Sequence, residues 1–543
     1  MPLTPDMRRS IDQIRDYLFG GGYPDPVSNA EQLSFLFFFY LVEGIDAENT
    51  LRAKVLKTPY TSLYDGVWEV RNPLNAIGSP SPMKHLPRSH FKWSTWAKAL
   101  SGEALVRFVR DEVFAFYGEM GEGAAHNFMR GARLSIDDPT VLTQVVNLVD
   151  GLRLDQSDAD TKGDLFEHVL RQIKQAGELG QFRTPRHIIR TVVQMIDPQV
   201  GETVYDPAAG TAGFLVAAYN HMRLAHSSPS AVSEAEVDGK RQRRGLGDRL
   251  SAAQVSALQN ATFFGNDVDP KMVRLATMNL TLRGLPNVAI QLRNALTTSL
   301  DAERKAELGL PAQGFHVILA NPPFSGRVDK DRIVEDVKVG STTATELLFL
   351  KYMVDSLRPG GRAAVIVPEG VLFGSTGAHK ELRRQLVENH RVEAVLSLPG
   401  GVFQPYSGVK TSVLFFRLGG RSERVLFLHA DADGYKMDAN HDTPVDADDL
   451  PALAQAEAER GAGWALWDAR DAAAEWKDLW WFADAATLRA NDFNLSASRY
   501  RPMSQSQVVH RDPRTLLDEL AAIEAEIAEE VEALRAALAE AQA

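Results

Sequence analysis

From about residue 163 to about residue 417 the chain repeats one arrangement: a short apolar, β-rich run, then a helical stretch, then another run. The runs occupy residues 203–205, 261–264, 288–292, 315–320, 363–367, 392–396 and 412–416. Uninterrupted apolar runs of this length suit strands buried on both faces, because strict alternation would mark a sheet with one wet face. Strands alternating with helices predict a doubly wound, mostly parallel, Rossmann-like α/β sheet of seven strands. Sheets of this kind bind ligands outside the carboxyl ends of their strands, so the residues just after each run are where chemistry is expected.

The flanking segments differ. Residues 1–155 predict an all-α N-terminal domain. Apolar residues between Ser10 and Leu18 recur at helical spacing, and Gly20-Gly21-Gly22-Tyr23-Pro24 ends that helix. Residues 103–117 and 139–152 predict further helices, and no strand is expected in this region. The most apolar run, residues 33–42, is about half the length of a membrane span and predicts a buried helix. Residues 156–420 are expected to form the α/β domain, with a polar insert at 227–249 and an extension over residues 421–512. Residues 513–543 predict a separate C-terminal helix. Its stripe of Leu516, Leu520, Ile523, Ile527, Val531, Leu534 and Leu538 makes two eleven-residue repeats, a pattern that seeks a partner helix. The insert carries Lys240-Arg241-Gln242-Arg243-Arg244, which reads either as a solvated loop or as a basic finger on phosphates.

Composition removes whole classes of chemistry. The chain has 543 residues and no cysteine. Disulfides, cysteine-held zinc and thiolate nucleophiles are therefore excluded. The N-terminus has no apolar signal core, and a cytoplasmic location is expected. Net charge is −12. A chain that grips nucleic acid by itself is usually basic, so any nucleic-acid contact is expected to depend on a partner.

Four segments carry candidate chemistry. Asn321-Pro322-Pro323-Phe324 follows a buried strand. The two prolines fix φ and remove two backbone donors. An exocyclic amine needs two acceptors to orient it, and the Asn321 side-chain oxygen and Pro322 carbonyl can serve. Phe324 offers a ring on which an extruded base can stack. Asp206-Pro207-Ala208-Ala209-Gly210-Thr211-Ala212-Gly213 is a strand end running through a small-residue turn into a helix. Small residues admit close backbone approach, the helix start suits a carboxylate, and Asp206 suits an ammonium group. In Asn266-Asp267-Val268-Asp269-Pro270, Asp267 is best placed for ribose hydroxyls; Asp269 is the alternative, or else the cap of the next helix. Asn294 follows the third strand and could meet an adenine. Gly180-Gln181-Phe182-Arg183-Thr184-Pro185-Arg186 reads as a turn into a helix, with Thr184 capping and Pro185 at its first position.

Together these segments resemble the amino-methyltransferases of DNA, most closely the modification subunit of type I restriction–modification systems. Later blocks share the resemblance: Leu357-Arg358-Pro359-Gly360-Gly361-Arg362, 367–373, Leu398-Pro399-Gly400-Gly401-Val402-Phe403, and 494–500. The resemblance implies a methyltransferase that uses S-adenosyl-L-methionine to methylate N6 of adenine in duplex DNA. It assigns Asn321, Pro322, Pro323 and Phe324 to catalysis. It assigns Gln181, Phe182, Arg183, Thr184, Pro185, Arg186, Asp206, Ala208, Gly210, Thr211, Ala212, Gly213, Asp267 and Asn294 to the cofactor, with no metal. Three positions depart from the family pattern: Arg183 stands for an aromatic residue, Asp267 for glutamate and Asn294 for aspartate. The resemblance implies a specificity subunit, a second copy of this chain and a restriction subunit as partners, with the C-terminal helix as docking element. Competing readings are transfer to cytosine N4, RNA or protein glutamine, and a non-catalytic scaffold; carbon-5 methylation of cytosine needs the cysteine this chain lacks.

Overall fold

The computed structural model describes residues 4–71, 83–119, 128–175, 184–237, 239–288, 290–404, 408–438, 441, 443–454 and 479–502, and residues 520, 521, 523–525, 527, 528 and 531. Gln181, Phe182 and Arg183 lie outside them, as do Leu516, Leu534 and Leu538 of the C-terminal stripe. The chain forms two compact units, Met1–Arg501 and Pro502–Ala543.

The first unit opens with helix α1 (Pro5–Gly20), capped by Thr4 Oγ1 accepting from Met7 N, and burying Ile11, Ile14 and Leu18. Helix α2 (Pro26–Leu56) is capped by Asp25, and its apolar run is buried in an aromatic core: Phe35 and Phe39 meet Phe114 edge-on, and Phe38 lies on Phe128. Helix occupies 102–118, with a π-turn at Val109–Val113, and α3 is Pro139–Gly151. The same core takes in Leu165, Phe166, Val169 and Leu170 of α4 (Ala159–Gln175), so the helical packing continues past residue 155.

This region is not wholly helical. Strands β1 (Val67–Arg71) and β2 (Met83–Pro87) pair antiparallel. Five residues of alternation with a partner rich in Lys, His and Pro leave little periodic signal. Tertiary contact decides the matter: Trp68 is buried and its indole N–H donates to Glu119 at 2.6 Å.

Next come α5 (Arg186–Ile196), β3 (Val204–Asp206), α6 (Gly213–Ala225), β4 (Val232–Val237) and β5 (Lys240–Gly245), then β6 (Phe263–Asp267), α7 (Pro270–Leu282), β7 (Ile290–Leu292), β8 (Phe315–Ala320) and β9 (Leu357–Pro368). Strands β10 (Arg391–Ser397), β11 (Thr411–Arg417), β12 (Arg424–His429), β13 (Asp433–Tyr435), β14 (Pro444–Asp448) and β15 (Trp480–Asp484) follow. The central sheet runs β7-β6-β3-β8-β9-β11-β10-β12-β15. It therefore has nine strands where seven were expected. The two additional ones, β12 and β15, come from the 421–512 extension. Val425 to Leu428 form a fully buried apolar run, the same signature as the other strands, so the extension completes the sheet. Only β11 and β15 run against the rest. Side chains alternate between two buried faces: Val317, Leu319, Ala364 and Ile366 on one, Ile318, Ala320, Ala363 and Val365 on the other. That two-sided burial is why the runs read as continuous.

The polar insert is not a loose loop. β4 and β5 form a hairpin that sets Glu234 opposite Arg243 and Glu236 opposite Arg241. Arg244 pairs with Asp164 at 2.6 Å, and Lys240 with Asp448. The basic string is thus largely answered by acids of the same molecule. In the second unit the described residues are helical, and Leu520, Ile523, Ile527 and Val531 are exposed.

Candidate active site

The strand order reverses between β3 and β8, which leave the sheet side by side and in parallel. Neighbouring connections depart to opposite faces there, opening a crevice at the carboxyl edge. A cavity of about 620 Å³ occupies that edge, and both Asp206, the last residue of β3, and Asn321, the first after β8, line it. Thr184, Arg186, Ala208, Gly210, Thr211 and Gly213 line it as well. Two segments far apart in sequence, the small-residue turn and the Asn-Pro-Pro-Phe turn, thus face one space.

The small-residue turn is held at nearly every step. Asp206 is buried and accepts from Ala208 N at 3.0 Å. Burial, reinforced by the nearby Asp267 charge, pushes its carboxyl up to about 8. Gly210 has φ 51° with open space where a Cβ would sit, and Ala212 adopts φ 63° just before α6. Asn266 donates to the Pro207 carbonyl at 2.8 Å, its own carbonyl accepts from Ala209 N at 3.0 Å, and Asn279 donates to the Thr211 carbonyl at 2.8 Å. Asn266 and Asn279 hold the turn from other elements, and sequence reasoning missed both. Asn279 had a weak signal, an amide flanked by the apolar Met278 and Leu280 within the helix.

Asp267 does not line the cavity. Its two oxygens accept from Gly210 N and Asp269 N, each at 2.9 Å, and burial raises its pKa against those bonds. Asp269 caps α7 by accepting from Lys271 N at 2.8 Å, which resolves the alternative left open above in favour of a cap. Asn294 accepts from Leu296 N and also stands off the cavity. Beneath them Arg293 is buried, donating to Tyr205, Asn266 and Tyr352 hydrogen-bond acceptors at 2.7–2.9 Å.

Before α5 the expected cap is absent. The helix begins at Arg186 with Pro185 as its N-cap and no side-chain capping bond. Pro185 stays extended at ψ 141°, and Thr184 is turned inward, buried against the cavity. Arg186 meets Glu167 at 2.7 Å, and Glu167 also binds Arg283 at 2.9 Å. These pairs tie α4 and α7 to the mouth of the site.

At the β8 turn, Pro322 is buried, Pro323 exposed and Asn321 half-buried. Phe324 is buried, with its ring edge-to-face against Phe403 at 5.0 Å. Phe403 closes the Leu398–Phe403 block, so that block supports the Asn-Pro-Pro-Phe turn.

Comparison with known proteins agrees. The N-6 DNA Methylase family pattern matches residues 157–508. The methylase subunit of type I restriction enzyme EcoEI from Escherichia coli is 29% identical over 469 residues, covering 83% of this chain and 85% of its own. The EcoKI methylase subunit of E. coli K12 is 30% identical over 394 residues, 68% of each chain. Among solved structures, a chain from a study of assembly and conformational transition in the type I R-M system has TM-score 0.68 and 24% identity over 98% of both chains. A type I methyltransferase subunit from Streptococcus thermophilus has TM-score 0.62 and 17% identity, covering 91% of this chain and 99% of its own; both likenesses concern the fold. The chain belongs to the N-6 DNA methylase family, as a DNA adenine-N6 methyltransferase of the type I restriction enzyme methylase subunits.

Proposed function

We propose that S-adenosyl-L-methionine is the methyl donor and that it seats in the 620 Å³ cavity over the Asp206–Gly213 turn. The observation that carries this reading is Asp206 and Asn321 lining one cavity. The donor set fits the molecule. Asp206 is a buried carboxyl that burial raises to about 8, and an amino-acid ammonium beside it would favour its ionised form. Gly210 lines the cavity with open space where a Cβ would sit, which leaves room for close approach of a ligand. Thr184 and Arg186 close the other wall. When bound, the cofactor contributes an electrophilic methyl group.

The chain's own residues then act on the base. The Asn321 side-chain oxygen and the Pro322 carbonyl accept the two hydrogens of the adenine amine, which leaves its lone pair directed at the methyl carbon. This is catalysis by positioning and by preorganised dipoles. Phe324 stacks the extruded base; because its ring is engaged with Phe403, that role requires a local opening of the turn. No covalent bond to the enzyme is needed.

The chain acts with partners. Its net charge of −12 disfavours unaided DNA binding, so a specificity subunit reads the sequence and joins two copies of this chain, with a restriction subunit as an optional addition. Residues 513–543 dock the assembly through the Leu520, Ile523, Ile527 and Val531 stripe, which is exposed in this chain.

The test is transfer of labelled methyl groups to duplex DNA by the chain combined with its specificity subunit, with the product digested and analysed. N6-methyladenine as product, and saturable cofactor binding by the chain alone, are the expected results. Failure to bind S-adenosylmethionine, or label on another base, refutes the reading. Truncation after Asp512 is expected to weaken co-purification with the specificity subunit and leave cofactor binding unchanged; normal co-purification removes the helix from the interface.

A further inference from the structure

Among the described residues, His187, Asp433 and His441 bring three ligating atoms within 4.8 Å of one another. They come from three places: the second residue of α5, the start of β13, and the connection between β13 and β14. Asp433 and His441 are fully buried, and His187 nearly so. Three polar, ionisable side chains have been gathered in the interior, where each carries a desolvation cost unless it is matched.

Their polar atoms are concentrated on one carboxylate. His441 Nδ1 lies 3.2 Å from the Val402 carbonyl oxygen, which can only accept, so Nδ1 carries the proton. His441 Nε2 sits 2.9 Å from Asp433 Oδ2, an ion pair when the ring is protonated. The same Oδ2 already accepts from His187 Nε2 at 2.8 Å, and Oδ1 accepts from Tyr435 N. Two imidazole nitrogens therefore converge on one carboxylate oxygen in the interior. His441 also holds φ 46°, a left-handed backbone that a histidine adopts at a cost.

We propose that His187 Nε2, Asp433 and His441 Nε2 bind one divalent zinc-class cation. Two imidazoles and a carboxylate are an ordinary ligand set for such an ion in a protein without cysteine. Opening the 2.8 and 2.9 Å Asp433–imidazole distances by about half an ångström makes room for a tetrahedral ion with ligand bonds of roughly 2.0–2.2 Å and one position left for water. His187 then carries its proton on Nδ1. The Val402 carbonyl on His441 Nδ1–H is the outer hydrogen bond that fixes the tautomer of a metal-bound histidine. The Tyr435 ring, stacked on His187 at 4.4 Å, shields one side.

The site joins parts that the reaction needs to keep together. His187 adjoins Arg186, which lines the cofactor cavity. Val402 adjoins Phe403, which supports Phe324. The ion would be structural, pinning the extension to both halves of the active site.

The test uses the full-length chain, tag removed and stripped with a chelator, titrated with Zn2+ against a chromophoric competitor and separately with Co2+. Expected are one Zn2+ per chain, and Co2+ absorption bands of a low-coordinate site displaced by Zn2+. H187A and H441A are expected to weaken Zn2+ binding by about 100-fold or more, while H85A, at an exposed histidine, leaves it unchanged. If H187A or H441A folds poorly, the Co2+ spectrum of the wild-type chain decides. Binding unaltered in the folded variants, or a six-coordinate Co2+ spectrum in the wild type, overturns the proposal and leaves a hydrogen-bonded pin.

Discussion

The ends of β3 and β8 are neighbours at the same edge of the same sheet, yet they are built oppositely. The β3 end is small, polar-tied and open. Its shape is set by backbone groups held from β6 and α7, and its carboxylate is left with one backbone partner. The β8 end is stiff and partly packed. Its shape is set by two prolines and by Phe324 seated on Phe403. The contrast teaches that grasping a flexible, charged ligand and aiming one amine are different mechanical tasks. The first needs room beside a charge; the second needs acceptors held by a stiff turn, while Phe324 must leave Phe403 to reach the base.

If that division holds, variants at the two ends should separate binding from turnover. The largest effect belongs to Asn321→Ala. We expect kcat to fall by about 100-fold or more, as when one preorganised polar group is lost from a transition state, with cofactor affinity within about twofold measured by calorimetry. Near-wild-type kcat, or an equal loss of cofactor affinity, breaks the comparison.

Asp206→Asn comes next. Loss of a charged partner to an ammonium costs about 1.5–3 kcal/mol, or roughly 10- to 100-fold in cofactor affinity, again by calorimetry. The same variant should be more stable to heat. Burial raises the Asp206 pKa from 3.8 to about 8, so the folded chain retains a proton that the unfolded chain has released. Its stabilising contribution is complete below pH 3.8 and is lost as pH rises through about 8. Thermal melts across that window should show the wild type losing stability relative to Asp206→Asn as pH rises. Cofactor affinity should climb over the same interval, because the ionised carboxylate is the binding form. Parallel pH profiles for the two proteins would remove Asp206 from this role.

Gly210→Ala should be milder. A left-handed alanine costs about 1–2 kcal/mol, and its methyl group projects toward the cavity, so cofactor affinity is expected to fall by about tenfold with kcat at saturation preserved. A loss confined to kcat contradicts the assignment. The smallest effect is Phe403→Leu, which removes an aromatic pair worth about 0.5–1.5 kcal/mol. It should lower Tm slightly, loosen the β8 turn and leave cofactor affinity unaltered. A change in affinity without a change in kcat would place the support at the wrong strand end.

The two ends also differed in how far they could be read. Asn321-Pro322-Pro323-Phe324 is local chemistry at the end of a strand that burial makes obvious, so its position survived intact. The β3 turn was legible as a turn, but the asparagines that hold it, Asn266 and Asn279, act from other elements. Asp267 looked like a ligand because of its place after β6; in the fold its oxygens are occupied by Gly210 and Asp269 backbone. Thr184 looked like a cap until the start of α5 at Arg186 turned it into the cavity wall.

By itself the sequence determined the strand–helix alternation, the buried character of the strands and the chemical groups at their ends. These are properties of neighbouring residues, written in periodicity and in proline and glycine placement. Only tertiary structure decided that the sheet has nine strands, that β1 pairs with β2, and that the basic insert is a hairpin answered by acids. Only tertiary structure brought His187 to Asp433 and His441. Each of these depends on a partner far along the chain, and pairing energy between distant segments leaves no periodic mark in either one.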